Sequence, residues 1–199
     1  MNIVGIDEVG RGSLAGAVCA AAVVWPRDYV PRSDEDVKLF GLVKDSKKLS
    51  EKRRNAIAAF IKENAVAYAV AMVDNHEIDR INILNATYKA MHLALDDIDP
   101  TTYSKIAVDG NRFRPYIDQR GNFIAHVCIV NGDNRLFQIA AASILAKTTR
   151  DRAMVELHAE FPAYDWQNNK GYGTKNHIDA IKTHGTSILH RNTFLKNIT

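Results

Sequence analysis

Apolar residues along this chain recur with two periods. Short runs rich in Val, Ile and Ala, each bounded by turn residues, lie at Asn2–Ile6, Ala17–Trp25, Val66–Val73, Lys105–Val108 and Ile124–Val130, and each predicts a strand. The spacing lengthens to that of a helix over Glu51–Glu63, Ile83–Asp97, Asn134–Glu160 (as one helix or two pieces) and Lys175–His184. Ile57, Phe60 and Ile61 give the first helix an apolar face and leave Lys52, Arg53 and Arg54 to water. Ser50 and Thr174 suit N-caps, and Gly185 stands where a helix ends. Pro26 to Asp36 mixes Pro, Asp, Arg and Ser without period and predicts a loop. Strands interleaved with helices predict an α/β fold, one central mixed sheet flanked by helices. From Phe161 onward the pattern holds a helix and no strand. We therefore expect a core over residues 1–160 and a small helical C-terminal extension over 161–199, packed on that core.

Length and composition sharpen this only a little. A chain of 199 residues, 46% hydrophobic, has enough apolar mass for one domain with an appendage. The net charge of +3 is unremarkable, but its distribution is not. Between Lys44 and Arg54 stand Lys44, Lys47, Lys48, Lys52, Arg53 and Arg54 against Asp45 and Glu51, which fits a solvated helix face and a polyanion contact equally well. Cys19 and Cys128 lie inside apolar runs and read as buried thiols of a reducing compartment. No C-x-x-C pair supports a zinc ribbon. The longest apolar run, Gly16 to Trp25, falls short of the roughly 18–20 residues a membrane span needs. The first strand begins at once, leaving no room for a signal peptide, so a cytoplasmic protein without membrane contact is expected.

The candidate chemistry starts where the first strand ends. Asp7 and Glu8 follow an apolar run, and Gly10-Arg11-Gly12 follows them. Acids after a strand are commonly just exposed turn residues. Here the pattern repeats, because Ile106-Ala107-Val108 ends in Asp109 and the run from Ile124 to Val130 is followed by Asp133. Asp133 also suits a helix N-cap, a role compatible with binding metal. Ligands of α/β sheets gather beyond strand ends, and converging carboxylates repel unless a hard cation neutralises them. Oxygen ligands favour Mg²⁺ or Mn²⁺ over Zn²⁺, and two such ions can serve a phosphodiester displacement.

A rival reading comes from Gly10 to Ala15, which matches G-x-G-x-x-A, a dinucleotide fingerprint. Asp7 and Glu8 would repel the pyrophosphate, and the residues after Val18 read as a strand rather than a helix, so this reading is the weaker one. Ser46 and Lys47, ahead of a basic helix, suit an ordinary capped start or a phosphate grip. Tyr172, between Gly171 and Gly173, is expected to be exposed, either as a plain surface residue or stacked on a sugar or base. His177, His184 and His190 read as surface or capping residues, and none is assigned to metal.

Taken in order, these segments closely resemble the type 2 ribonucleases H (ribonuclease HII). The pieces are Gly5 to Gly12, Asp45 to Ser50, Asn82 to Thr87, Val108 to Asn111, Gly132-Asp133, Ala140 to Lys147, Lys170 to Thr174 and His190-Arg191. The resemblance implies a ribonuclease H-like fold. It implies an endonuclease that hydrolyses the RNA strand of RNA–DNA hybrids and incises at single ribonucleotides embedded in duplex DNA, leaving 3′-hydroxyl and 5′-phosphate ends. By matching position it makes Asp7, Glu8, Asp109 and Asp133 the catalytic, metal-binding acids, holding two Mg²⁺ or Mn²⁺ ions. It gives Gly10, Arg11 and Gly12 to the ribose 2′-hydroxyl and adjoining phosphate, Tyr172 to the sugar at the junction, and Ser46 and Lys47 to phosphates. A monomer is the expected assembly, with no sliding-clamp motif after Phe194. A catalytically silent hybrid-binding protein is the alternative. Three positions depart from the family pattern: Ser13 and Thr186 replace prolines, and Asn169 replaces a histidine.

Overall fold

The computed structural model describes residues 2–43, 49–196 and 198. Its elements, in chain order, are β1 (Asn2–Val9), β2 (Val18–Val24), α1 (Asp34–Leu42), α2 (Glu51–Asn64), β3 (Ala67–Val73), α3 (Asn75–Ile81), α4 (Ile83–Asp96), β4 (Tyr103–Asp109), β5 (Tyr116–Ile117), β6 (Phe123–Ile124), β7 (His126–Ile129), α5 (Phe137–Glu160), α6 (Trp166–Asn169) and α7 (Lys175–His184). Five strands form one mixed sheet in the order β3-β2-β1-β4-β7. β1 runs antiparallel to β2 and parallel to β4, and β7 runs parallel to β4. β5 and β6 form a separate two-stranded ribbon.

Alternation of side chains decides what each face of the sheet holds. Val4, Ile6, Ala20, Ile106 and Val108 point to one face and pack against Ala86, Ala90, Met91 and Ala94 of α4. Cys19, Ala21 and Val23 point to the other, against Ala140, Ala141, Ile144 and Leu145 of α5 and Ile57, Phe60 and Ile61 of α2. β2 is buried along its whole length, which explains its unbroken apolar run. Each fully buried Val, Ile or Leu contributes about 1.5–3 kcal/mol, so the two layers hold the sheet between them. Gly5 lets α5 approach β1, because a Cβ there would overlap the backbone of Gln138.

All five predicted strands and four predicted helices form. Ser50 and Thr174 cap α2 and α7, and Gly185 ends α7 at φ 78°. The differences are local. β1 continues to Val9, so Asp7 and Glu8 lie within the strand rather than after it. The predicted loop from Pro26 ends earlier, because Ser33 accepts from the Asp36 amide and starts α1. The last predicted strand is interrupted between β6 and β7. α5 is unbroken and starts at Phe137, while Asp133 sits in a separate 3-10 turn, Gly132–Asn134, and does not cap α5. α3, α6 and the β5–β6 ribbon escaped the sequence pattern because each is shorter than the window in which periodicity shows.

The residues beyond Glu160 pack on the core through a third cluster. Leu14 and Ala15, from the segment after β1, meet Met154, Tyr164, Trp166, Ile181 and Leu195. Backbone bonds seal the contact: Leu14 N to Gly171 O at 2.8 Å, Gly16 N to Leu189 O at 2.9 Å and Arg191 N to Leu14 O at 2.8 Å. Among the described residues no helix is long and apolar enough to cross a membrane.

Candidate active site at the carboxyl ends of the central strands

The parallel pairing of β1 and β4 aligns Ile6 with Val108, so Asp7 and Asp109 each stand one residue further, side by side at the carboxyl edge of the sheet. Asp133 joins them from the 3-10 turn after β7. That turn is tied to β4 by the Gly132 amide, which donates to Asp109 Oδ1 at 2.6 Å. Gly132 has little room for a side chain, since a Cβ would meet Ile139 Cδ1 at 2.7 Å. Asp7, Glu8, Asp109 and Asp133 line a pocket of about 370 Å³, completed by Val9, Arg54, Ser143, Ile144 and Lys147.

The electrostatics of this pocket are unfavourable as it stands. Burial, then the neighbouring charges of Glu8 and Asp109, push the Asp7 carboxyl up from 3.8 to about 8, although hydrogen bonds from Ser143 and the Glu8 amide pull the other way. Burial also raises Glu8, opposed by Arg11, whose Nη1 donates to Glu8 Oε1 at 3.2 Å. The second Glu8 oxygen is buried without a hydrogen-bond partner. Hard oxygen donors, one of them unpartnered, with a carboxyl that resists ionisation, are the donor set a hard divalent cation suits. Among the described residues no three His, Cys, Asp or Glu side chains are gathered closely enough to hold an ion as they lie, so the four acids line a pocket rather than form a coordination shell.

Beside the acids, the Gly10-Arg11-Gly12 turn divides its glycines by role. Gly10 sits at φ 88°, and a Cβ there would strike the Arg150 guanidinium. Its glycine is therefore accounted for by backbone conformation and packing. Gly12 is exposed, with nothing within 4 Å of where a Cβ would stand, so its bare backbone is open to a ligand. Arg11 is exposed, and its carbonyl accepts from Arg191 Nη1 at 3.0 Å. Tyr172 is half-buried rather than fully exposed and pairs by a β-bridge with Ser13, which brings it to the turn. Its ring centroid lies 5.5 Å from Arg150 Cζ. Ser46 and Lys47 lie outside the described residues.

Several residues were not assigned a role from sequence. Ser143 and Lys147 enter the pocket from α5, and Lys147 Nζ also donates to Asp151 Oδ1 at 2.8 Å. Their signal was available: Ser143, Lys147 and Asp151 repeat every four residues and so share one face of the predicted helix. Arg150 is buried and donates to Ala17 O, Lys170 O, Ser13 Oγ and Ala15 O. No sequence pattern announces such a guanidinium, because its partners come from distant parts of the chain. His177 and His190 are not surface or capping residues, being 0% and 1% exposed, because each ring nitrogen finds a partner inside the C-terminal cluster. His184 is exposed in the last turn of α7.

Comparison with known proteins gives the arrangement its family. A family model described as Ribonuclease HII matches residues 4–197. Ribonuclease HII of Bacteroides fragilis is 51% identical over 190 residues, covering 96% of this chain and 87% of that one. The crystal structure of ribonuclease H2 from Pyrococcus horikoshii OT3 is similar with a TM-score of 0.74 at 25% identity, over 100% of this chain and 97% of the other. Bst-RNase HIII, solved in complex with Mn²⁺, has the same fold, with a TM-score of 0.74 at 22% identity over 97% of this chain and 67% of that one. The chain therefore belongs to the ribonuclease HII family: it is a type 2 ribonuclease H, an endonuclease that cuts RNA paired with DNA.

Proposed function

We propose that this enzyme, besides cutting RNA in hybrids, incises duplex DNA at single embedded ribonucleotides, and that Asp7, Glu8, Asp109 and Asp133 hold two Mg²⁺ or Mn²⁺ ions for that reaction. The observation that carries the reading is the convergence of these four acids on one pocket, with Asp7 pushed up to about 8 by burial and its acidic neighbours. When bound, the ions supply an activated water and stabilise the leaving 3′-oxygen, which gives 3′-hydroxyl and 5′-phosphate ends. The protein's share is placement. β1 and β4 set Asp7 and Asp109 on a rigid sheet edge, and the Gly132 amide orients Asp109 so that its other oxygen is left for the pocket. Ser143 orients Asp7 by its hydrogen bond. Lys147 brings positive charge to the pocket wall, where a phosphodiester would lie.

Substrate choice follows from the turn. Gly12 offers open backbone to a ribose 2′-hydroxyl, the group that separates RNA from DNA, while Gly10 fixes the bend and Arg11 presents charge to the adjoining phosphate. Tyr172, held beside the turn by Ser13, stacks on the sugar at the RNA-to-DNA junction. Ser46 and Lys47 contact backbone phosphates further along. Residues 1–160 form the catalytic core, and residues 161–199 form the extension that delivers Tyr172.

The test is a nicking assay with Mg²⁺ and with Mn²⁺ on three duplexes: DNA with one ribonucleotide, a full RNA–DNA hybrid, and DNA alone. Metal-dependent cuts are expected on the first two and none on the third. Cutting confined to the hybrid would refute the single-ribonucleotide activity, and binding without cutting would favour the silent-binder alternative.

A further inference from the structure

Tyr172 stands on a sharply turned stretch. Lys170 and Gly171, just before it, both have left-handed backbones, at φ 51° and 82°. Polar contacts hold this stretch in place. Asn169 Oδ1 accepts from the Gly171 amide at 2.8 Å, and Asn169 O accepts from the Tyr172 amide at 2.9 Å. The Tyr172 carbonyl accepts from the Thr174 amide at 2.8 Å and meets His177 Nδ1 at 3.0 Å.

The partners of the two buried histidines fix where their protons sit. Trp166 Nε1–H can only donate, and it points at His177 Nε2 from 3.1 Å. His177 Nε2 is therefore an acceptor, and His177 carries its proton on Nδ1, aimed at the Tyr172 carbonyl. The Ser187 amide donates to His190 Nδ1 at 2.9 Å, so the neutral His190 ring carries its proton on Nε2, 3.2 Å from His177 Nε2, whose lone pair it shares with Trp166. Donation runs one way, from Ser187 through His190 and His177 to Tyr172.

Every link needs both rings neutral, since a second proton would replace an acceptor with a donor. The surroundings keep them so. His177 and His190 are 0% and 1% exposed, and the Trp166 and Tyr164 rings pack on His190 with centroids 5.6 and 4.7 Å away. Burial lowers both pKa values, that of His190 to about 4 with the neighbouring His177 adding to the effect. Among the described residues no carboxylate bonds to either ring to favour its charged form. An apolar pair would fill the same space, but it could not hold a carbonyl. The chain ends on the residue beside the ribose-reading turn, and that end gives the pair its use.

We propose that His177 and His190 are positioning residues for Tyr172, a neutral two-histidine relay that sets its ring against the Gly10–Gly12 turn and so supports incision at an RNA–DNA junction. The proposal rests on the reading of Tyr172 as the aromatic that stacks on the junction sugar.

The experiment measures kcat/KM on duplex DNA with one ribonucleotide, divided by kcat/KM on a uniform hybrid. Steps common to both substrates cancel in the ratio. His177→Asn places an amide donor near the Nδ1 position, whereas His177→Gln places it near Nε2. Tyr172→Ala and His177→Gln should each lower the ratio by roughly tenfold, and His177→Asn should hold it within about twofold, as expected when an aromatic shifts by a fraction of an ångström to an ångström. Equal losses for Asn and Gln, or no loss for Gln, would overturn the relay while a changed Tyr172→Ala ratio left the reading of Tyr172 standing. An unchanged ratio for Tyr172→Ala would remove that reading and the relay with it. Long-range ¹⁵N–¹H spectra of the wild-type protein at pH 7 give a check independent of any variant. A proton on His177 Nδ1 and His190 Nε2 is expected, and a charged ring or the opposite tautomer at either residue refutes the relay.

Discussion

Replacing Asp7 by Asn should stabilise the metal-free enzyme while destroying its activity, and the gain should grow with pH. The Asp7 carboxyl is raised from 3.8 to about 8 by burial and by Glu8 and Asp109. An acid whose folded pKa is raised binds a proton in the folded state that the unfolded state has already released. Its contribution is fully present below about 3.8 and is lost as pH rises through about 8. Between pH 5 and pH 8 the loss accumulates over about three units, at about 1.4 kcal/mol each, or about 4 kcal/mol at most. Water entry and relaxation reduce this, so about 2 kcal/mol is the working expectation. Asn has nearly the same shape and no proton to lose, so the variant escapes this term. At about 2–4 °C per kcal/mol for a domain of this size, the melting temperature of Asp7→Asn should pull ahead of wild type by several degrees between pH 5 and pH 8. Titrating groups away from the pocket are shared and cancel in the comparison, while Glu8 and Asp109, which are coupled to Asp7, are relieved by its neutralisation and add to the gain. Adding Mg²⁺ or Mn²⁺ should raise the wild-type melting temperature and close the gap, because binding to the folded state alone stabilises it. A gap that does not change with pH, or a variant that melts below wild type at pH 8 without metal, would refute the argument that the site is strained by its own charge.

Asp109→Asn should abolish cleavage yet keep hybrid affinity, measured by fluorescence anisotropy, since Asn retains the Oδ1 that accepts from the Gly132 amide; wild-type-like turnover would sink the assignment. Gly10→Ala should cost about 2–3 kcal/mol in denaturant unfolding, because an Ala at φ 88° is strained and meets Arg150, whereas Gly12→Ala should stay within about 0.5 kcal/mol and still slow junction incision. Acid should unfold the C-terminal segment early: His190, lowered to about 4, and His177, lowered too, contribute stability above their ordinary 6.5 that is lost as pH falls toward 4. Amide protection in α7, relative to the intrinsic exchange rate at each pH, that falls below pH 6 ahead of protection in β1 checks this, and a uniform loss of protection counts against it.

The sheet and its flanking helices were legible because their residues repeat at intervals the chain itself displays. β2 announces itself by an unbroken apolar run, and α4 by Ala86, Ala90 and Ala94 at every fourth residue. The acids were legible for a related reason, since each of Asp7, Asp109 and Asp133 sits at or after the end of an apolar run. Their meeting was not legible from spacing. It depends on β1 and β4 being parallel neighbours, a fact of topology that no local window carries. The histidines were misread for the complementary reason. His177 falls in a polar helix and His190 in a loop, so local pattern places both at the surface. They are buried by the folding of residues beyond Glu160 on one another, with Tyr164 and Trp166 packed on the two rings, a contact no local window carries.

The same distinction explains two of the three departures from the family pattern. Ser13 stands where a proline is common, and its hydroxyl accepts from Arg150 Nη2 at 2.8 Å, a bond proline cannot make. Arg150 in turn holds Ala15, Ala17 and Lys170 and faces the Tyr172 ring, so the new hydroxyl adds a bond at the centre of the clamp that joins turn to aromatic. Asn169 stands where a histidine is common, and its amide makes two bonds at once, Nδ2 to Tyr164 O at 2.7 Å and Oδ1 from the Gly171 amide at 2.8 Å. Both substitutions thus fall on the support of Tyr172 rather than on the acids. A site whose acids are fixed by sheet register can tolerate changes in how its aromatic is braced, provided the brace remains fully hydrogen-bonded. Thr186, the third departure, is exposed between Gly185 and Ser187 after α7, and nothing in the structure explains it. Selection between substrates is therefore the property in which this chain should differ from its relatives, and the junction-to-hybrid ratio of Asn169→His against wild type measures it: a shift with unchanged hybrid turnover is expected, and an equal change on both substrates would mean that the brace and the acids are not separable.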